Sequence, residues 1–263
     1  MNDTVRILEL SAAELKRGKS CVIITVVETG GDSPAKPGFK LLVTSQEELH
    51  GTVGGGALEY TAVERAKELL QSGTSEVAGY DLASLGMKCG GRATLFYEYL
   101  TAGKLIVLFG GGHVAESLTP FLETTGFTPV VYDPREEIVR RHLEHGRTTI
   151  QSEYSDISGA LEYLDSGFCF IATHGHAHDT EVLRQVLLSG KPMTYIGMIR
   201  SKNKVRTAFK TLSDENIEIP RSVYAPVGVK IGGDTAGEIA VSIAAEILAV
   251  AYGKEVPHMR DTL

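Results

Sequence analysis

The sequence predicts an α/β chain in two parts, a smaller α+β domain over residues 1–102 and a doubly wound parallel sheet over residues 103–263. Three observations predict it. From residue 104 on, apolar runs alternate with helix-period segments in regular order, the pattern of parallel strands joined by crossover helices. The first of those strand-to-helix junctions carries spaced glycines. The residues before it lack that alternation and show strands broken by glycine- and proline-rich loops.

In the first part, a helix is predicted over 5–16, then a strand over 21–28 through the apolar run CVIITVV. A turn-rich loop, GGDSPAKPG, leads to a strand over 39–45 and to the run GTVGGGALE. There Gly54, Gly55 and Gly56 precede Leu58 and Glu59 at the start of a helix running through Leu70, so their amides form a candidate phosphate cradle. Strands follow around 76–82 and 93–100, and Thr101, Ala102 and Gly103 make a short join.

The second part opens on KLIVLFGGGHVAESLTPFLETTGFTPVVYDPREE, with a strand over 105–109, a helix from His113 to about 123, and a strand over 129–132 that ends at Asp133. The fingerprint is G-x-G-x-x-A at Gly110, Gly112 and Ala115. The first glycine permits the tight turn, the second lets a pyrophosphate approach the backbone, and the small third residue packs helix on strand. Asp133 stands where an acid accepts hydrogen bonds from a ribose. This order of elements predicts a Rossmann-like domain and makes NAD(P) or another nucleotide the cofactor to test. No element is assigned between 137 and 167. Strands over 167–173, 193–199 and 222–226 then alternate with helices over 179–188, 201–212 and 235–251. The last helix repeats Ile239, Ala240, Ile243, Ala244 and Ile247 at helical spacing, the face that covers a sheet.

Four further stretches carry chemistry. ATHGHAHD (172–179) leaves a strand at its carboxyl end, where open α/β sheets bind ligands; His174, His176 and His178 are metal ligands or proton carriers in one reading, and polar loop residues with Asp179 capping the next helix in the other. In YIGMIRSKNK, Ser201 caps a helix while Lys202 and Lys204 offer positive charge to an anion. PVGVKIGGDTAGEIA supplies Gly228, Gly232 and Gly233, then Asp234 and Glu238, acids that favour a helix N-terminus. GMKCGGR places Cys89 before Gly90 and Gly91, its sulfur unhindered, with Lys88 and Arg92 favouring thiolate. Cys21 and Cys169 instead sit in apolar runs and read as small core hydrophobes.

The bulk numbers narrow the classes. Three cysteines without C-x-x-C spacing argue against a disulfide framework and for a reducing compartment. A net charge of −7 disfavours nucleic acid as a partner. No long apolar stretch predicts a signal peptide or membrane anchor, so a cytoplasmic location is expected.

Taken together, GTVGGGALE, GMKCGG, LFGGGHVA, DPR, THGHAHD, YIGM-I-x-S-K and APVGVKIGGDTAGEIAVSIAAEI resemble, in order and over nearly the whole chain, the XdhC/CoxI family of accessory proteins of xanthine dehydrogenase and related molybdenum hydroxylases. The resemblance implies an N-terminal XdhC-type domain followed by the Rossmann-like one. It implies a chaperone, rather than a turnover enzyme, that binds molybdenum cofactor, protects it while it gains its sulfido ligand and inserts it into the apo-dehydrogenase. A cysteine desulfurase and a second copy of the chain are implied as further partners. Cys89 matches the family's cofactor-binding cysteine and is the metal contact; the glycines at 54–56, 90–91, 110 and 112, with Glu59, His113, Asp133, His174, His176, Ser201 and Lys202, are the remaining cofactor-binding candidates. This chain departs from the family at Lys88, where many members carry a second cysteine, at Arg200 and Gly237, where glycine and proline are usual, and in GDSPAKPG, where only Lys36 is left for an arginine's contact. The alternative reading is an NAD(P)-dependent oxidoreductase in which Gly110, Gly112 and Asp133 hold the dinucleotide and a histidine of 174–178 moves the proton. A third is a structural partner of the dehydrogenase without small-molecule affinity.

Overall fold

The run at Cys21 is buried on both faces, as suits the central strand of its sheet. The computed structural model describes residues 3–87 and 90–254, and the chain divides into two units, Met1–Ala102 and Gly103–Leu263. In the first unit the elements are α1 (Asp3–Lys16), β1 (Cys21–Gly30), β2 (Lys40–Thr44), β3 (Leu49–Gly51), α2 (Gly56–Ser72), β4 (Glu76–Asp81) and β5 (Arg92–Leu100). The strands form one sheet in the order β3-β2-β1-β5-β4, antiparallel at every pairing. Val22, Ile24 and Val26 of β1 join Leu41, Val43, Leu95 and Tyr97 beneath Leu58, Ala62, Ala66 and Leu69 of α2. Cys21 and Ile23 point the other way and pack with Leu42 against Ile7 of α1. Cys21 is buried, and burial, with Glu14 and Glu98 nearby, pushes its thiol up to about 11.

The second unit follows the predicted alternation. Its elements are β6 (Lys104–Phe109), α3 (His113–Thr124), β7 (Phe127–Tyr132), α4 (Glu136–Glu144), β8 (Thr148–Ile150), a 3-10 run (Ser158–Ser166), β9 (Phe168–Ile171), α5 (His176–Leu188), β10 (Tyr195–Met198), α6 (Lys202–Asp214), β11 (Val223–Tyr224) and α7 (Ala236–Ala251). Six strands stand in the order β11-β10-β9-β6-β7-β8, all parallel. The order reverses between β6 and β9, the switch point at which such sheets open a crevice for ligands. The two faces of β6 are covered by different helices, the signature of double winding. Leu105, Val107 and Phe109 pack with Val182 and Val186 of α5 and Val205 and Leu212 of α6. Ile106 and Leu108 pack with Leu118 and Leu122 of α3 and Ile243 and Ile247 of α7.

The structure adds elements where none was assigned, between 137 and 167, and begins α5 at His176 instead of 179. The reason for the first gap is weak patterning: α4 is nine residues, EEIVRRHLE, of which only Ile138, Val139 and His142 are buried. No described helix is long and apolar enough to cross a membrane.

Candidate functional site

In the first unit, glycines at 54, 56 and 91 lie close to neighbouring loops, two of them too close to the backbone there for a side chain. A Cβ on Gly91 would lie 2.6 Å from the Asp32 carbonyl oxygen and 2.7 Å from that of Gly30. One on Gly54, whose φ is +125°, would lie 2.8 Å from the Ala35 amide nitrogen, and one on Gly56 would touch the Met87 methyl at 3.7 Å. The loops 31–36 and 52–56 are thereby brought together with Met87 and Gly91. Met87 and Gly91, on either side of Cys89 in sequence, both belong to this cluster; Cys89, with Lys88, lies outside the described residues. Gly90 and Arg92 are exposed.

The phosphate cradle expected at Gly54–Gly56 is already filled by the chain itself. One carboxylate oxygen of Glu59, Oε2, accepts hydrogen bonds from the amides of Val53 and Gly55, each at 3.2 Å, and from the Thr52 hydroxyl at 2.5 Å. Glu59 stands in the first turn of α2, where a negative charge also offsets the helix dipole. Glu59 thus braces the loop, and a phosphate arriving there would meet this carboxylate.

In the second unit, the glycines after β6 have separate reasons. At Gly110, with φ +109°, a Cβ would fall 2.1 Å from the Ala172 carbonyl oxygen, because the ends of β6 and β9 approach closely. At Gly112 the backbone is ordinary, φ −71°, and a Cβ would meet nothing nearer than the Arg135 guanidinium at 3.9 Å. Glycine at 112 is not required by the chain's own packing, and the helix start it precedes carries no side-chain cap. His113 begins α3 and is exposed.

Asp133 is fully buried and turned inward. Its carboxylate accepts bonds from the Gly111 amide at 2.9 Å, the Arg135 amide at 3.0 Å, the Arg135 Nε and Nη2 at 2.8 and 2.7 Å, and the Tyr154 hydroxyl at 3.2 Å. Burial works against its charge, but the bonds from Arg135 and Gly111 outweigh it and hold the carboxyl below its ordinary value. These bonds make the carboxylate a clasp on the glycine loop, with its oxygens engaged by the chain's own donors. His142, which the sequence did not single out, supports the same loop from behind. Its Nε2 lies 3.0 Å from the Gly111 carbonyl oxygen, and burial pushes its pKa down. Its spacing of three from Val139 on α4 was the available signal.

After β9, the rings of His174 and His178 lie 5.1 Å apart, and each sits within 5.6 Å of the Tyr154 ring. The Asp133 clasp and the histidine loop therefore share Tyr154. His176 is the first residue of α5. Among the described residues no three His, Cys, Asp or Glu side chains gather as a metal site. Asp179 does not cap a helix starting at 179; it accepts from the Thr173 amide at 2.8 Å and hydroxyl at 2.5 Å. It also pairs with Arg200, Oδ2 to Nη2 2.6 Å, both side chains 4% exposed. Burial raises the Asp179 carboxyl, and Thr173 and Arg200 oppose that rise. Arg200, which the family pattern left unexplained, is thus the buried partner of the ATHGHAHD loop.

Ser201 precedes α6 without a capping bond from its side chain, and Lys202 opens that helix exposed. Ser201, with Arg200 and Lys204, lines a cavity of about 500 Å³ whose far wall is the 226–233 segment. At α7 the expectation for Glu238 holds. Thr235 and Glu238 form a reciprocal capping box, and the bonds from Thr235 and Asp234 lower the Glu238 carboxyl.

Residues 106–247 match the family profile described as the XdhC Rossmann domain, and residues 14–81 the one described as the XdhC and CoxI family. Among curated proteins, YqeB of Escherichia coli strain K12, described as uncharacterized, is 29% identical over 235 residues, 86% of this chain and 42% of that protein. A Bacillus subtilis strain 168 protein described as a probable xanthine dehydrogenase subunit is 27% identical over 155 residues, 59% of this chain and 45% of its own. The molybdenum cofactor insertion chaperone PaoD of E. coli strain K12 is 31% identical over 107 residues, 39% and 34% of the two chains. The chain spans less than half the length of the curated relatives it matches. A crystal structure of a xanthine dehydrogenase from Bacillus halodurans superposes with a TM-score of 0.52 at 20% identity, over 97% of each chain, a likeness of fold.

Proposed function

This chain belongs to the XdhC and CoxI family, and on that premise we propose that it handles molybdenum cofactor as cargo for a xanthine dehydrogenase or related molybdenum hydroxylase. It binds the cofactor, shields it while a cysteine desulfurase supplies the terminal sulfur, and passes it to the apo-enzyme; the working form is a homodimer. The names of two relatives, a molybdenum cofactor insertion chaperone and a probable xanthine dehydrogenase subunit, support this reading. The observation that carries it is the meeting of loops 31–36 and 52–56 with Gly91, through contacts at Gly54 and Gly91 too close for side chains. Gly90 and Gly91, which follow Cys89 in sequence, carry no side chains, and a soft thiolate suits a sulfur-ligated metal. Cys89 is the metal-end contact, with Gly90 and Gly91 as its backbone neighbours and exposed Arg92 as nearby positive charge.

In the second unit, Gly112, His113, His174, His176, Ser201 and Lys202 remain the candidates for the phosphate or nucleotide part of a ligand. The NAD(P)-dependent oxidoreductase reading is weakened by one fact of geometry, the Asp133 carboxylate being spent on Arg135, Gly111 and Tyr154.

The test is anaerobic loading of the purified chain and of Cys89→Ala with molybdenum cofactor, scored by pterin fluorescence after oxidation, with NAD(H) and NADP(H) titrated in parallel. The wild type is expected to retain close to one pterin per chain and the variant at least tenfold less. Equal retention by both removes Cys89 from the site, and nicotinamide binding without pterin binding overturns the cargo reading.

A further inference from the structure

The cavity beyond the carboxyl ends of β10 and β11 presents two kinds of surface. It holds about 500 Å³, an ordinary size for a small-ligand site, and neither the Gly110–Gly112 loop nor the histidine loop contributes to its walls. One surface is aliphatic, with Ile199 after β10, Val227 and Val229 after β11, and Ile239 from α7. The other is made of groups that donate hydrogen bonds. Among the described residues the charged lining side chains are Arg200, Lys204 and Lys230, and neither a guanidinium nor an ammonium can accept one. The Ser201 hydroxyl, which is not used to cap α6, lines the cavity beside them.

The walls are fixed by bonds within the chain. Arg200 is held from behind by Asp179, itself fixed by Thr173. On the far side, the Ser242 hydroxyl donates to the Val229 carbonyl oxygen at 2.7 Å and the Val229 amide donates to the Ser242 carbonyl oxygen at 3.3 Å. The Gly228 amide and the Tyr195 hydroxyl both donate to one oxygen of the fully buried Glu246, at 3.1 and 3.0 Å. Gly228 lies so close to the Ser242 hydroxyl that a Cβ has no room there, which presses this segment onto α7. A pocket whose shape is set before a ligand arrives binds it at a lower entropy cost.

The three cations differ in what they have left to give. Arg200 is paired with Asp179, and Lys204 is engaged within the chain. The Lys230 ammonium is exposed, and no hydrogen bond or ion pair ties it to another described residue. A single such charge beside an aliphatic wall fits a monoanion on an apolar body. An ionised carboxylate takes a charge-assisted bond from Lys230, and an aromatic or branched aliphatic body leaves water against the wall. A phosphate monoester, carrying about −1.5 to −2 near neutral pH, brings more charge than Lys230 balances. We propose that this cavity binds a small hydrophobic carboxylic acid, its carboxylate on Lys230 and its body against Ile199, Val227 and Val229. Such a ligand is chemically distinct from the cargo proposed above, so either reading can fail without the other.

The probes are benzoate, its uncharged analogue benzamide, and acetate, titrated calorimetrically into the full chain. Benzoate is expected to bind about fivefold or more tighter than either, since benzamide lacks the charge and acetate the ring. Its advantage over benzamide is expected to shrink at high salt, because screening reaches an exposed ammonium. Lys230→Gln should bring benzoate down to the level of benzamide, leave benzamide itself unchanged and keep the wild-type circular dichroism. In the methyl-labelled chain, benzoate should shift the resonances of Ile199, Val227 and Val229. Equal affinity for benzoate and benzamide, equal affinity for benzoate and acetate, no binding of benzoate, an advantage that survives Lys230→Gln, or methyl shifts confined to other residues overturns the proposal. Displacement of benzoate by inorganic phosphate at lower concentration also overturns it, because the site would then select charge rather than an apolar acid.

Discussion

At 52–59 and at 110–113 the chain makes the same local shape, a strand passing through glycines into a helix, and the two junctions dispose of their backbone amides in different ways. In the first, Glu59 reaches back from the first turn of α2 and takes the amides of Val53 and Gly55 on one oxygen. In the second, the nearest acid, Asp133, comes from the end of the neighbouring strand and takes only the amide of Gly111, leaving the space in front of Gly112 open as far as Arg135. Glycine patterns report that backbone must come close to something. Whether that something is a ligand or the protein's own carboxylate depends on where the acid sits.

The largest effect that sharpens the contrast is expected at Gly110. An alanine there combines a left-handed φ of +109° with a Cβ 2.1 Å from the Ala172 carbonyl oxygen, so β6 and β9 must part. Backbone strain and overpacking each cost about 1–3 kcal/mol, and Gly110→Ala should lower the denaturant midpoint of the second unit accordingly. Hydrogen exchange assigns the loss to a unit. A wild-type midpoint would mean that the close approach of β6 and β9 is not a constraint.

Next comes Glu59. Glu59→Ala leaves the amides of Val53 and Gly55 without their acceptor, a loss of about 1–3 kcal/mol where water cannot replace it. Sulfate added to the variant should restore part of this loss and should not stabilise the wild type, since only the variant has a vacant anion position. Equal stabilisation of both by sulfate would break the comparison, because it would place a working anion site beside Glu59.

Much of this was legible in the residues. Alternating apolar and helix-period segments from residue 104 on announce a doubly wound parallel sheet, and the structure supplies it. The inward repeat of α7, from Ala240 to Ile247, is buried as its spacing requires. The gaps have physical reasons. β3 is three residues long and α4 has three buried positions in nine, too few to reveal a period. The hydrogen-bond partners of Glu59, Asp133 and Arg200 were not legible because each is reached only through folding. An acid in the right place for a ribose is, as a sequence, the same as an acid that clasps its own arginine two residues on, and nothing near Arg200 in the sequence points to Asp179.

A smaller effect comes from His142 beneath the second junction. Burial keeps its pKa below the ordinary 6.5, with Arg147 adding to the depression and the Gly111 carbonyl opposing it. The unfolded chain therefore takes up a proton more readily than the folded one. Stability from this site is fully present above about pH 6.5 and is lost as pH falls through the folded value, with a slope of at most about 1.4 kcal/mol per pH unit for one proton. His142→Gln, which can still donate to the Gly111 oxygen, should flatten the pH dependence of the second unit's midpoint between pH 7 and 5. An unchanged slope would mean that His142 does not sense the loop.

The smallest expected effect on stability is the most informative about ligands. At Gly112, φ is −71° and the added methyl would meet only the Arg135 guanidinium at 3.9 Å, so Gly112→Ala should shift the midpoint by no more than about 0.5 kcal/mol, as surface substitutions do. The same methyl stands where a phosphate would approach the start of α3. A tenfold or greater loss of affinity for a nucleotide or phosphorylated pterin in a variant of unchanged stability would locate that ligand at the open junction. An affinity unchanged alongside unchanged stability would move the ligand away from Gly112.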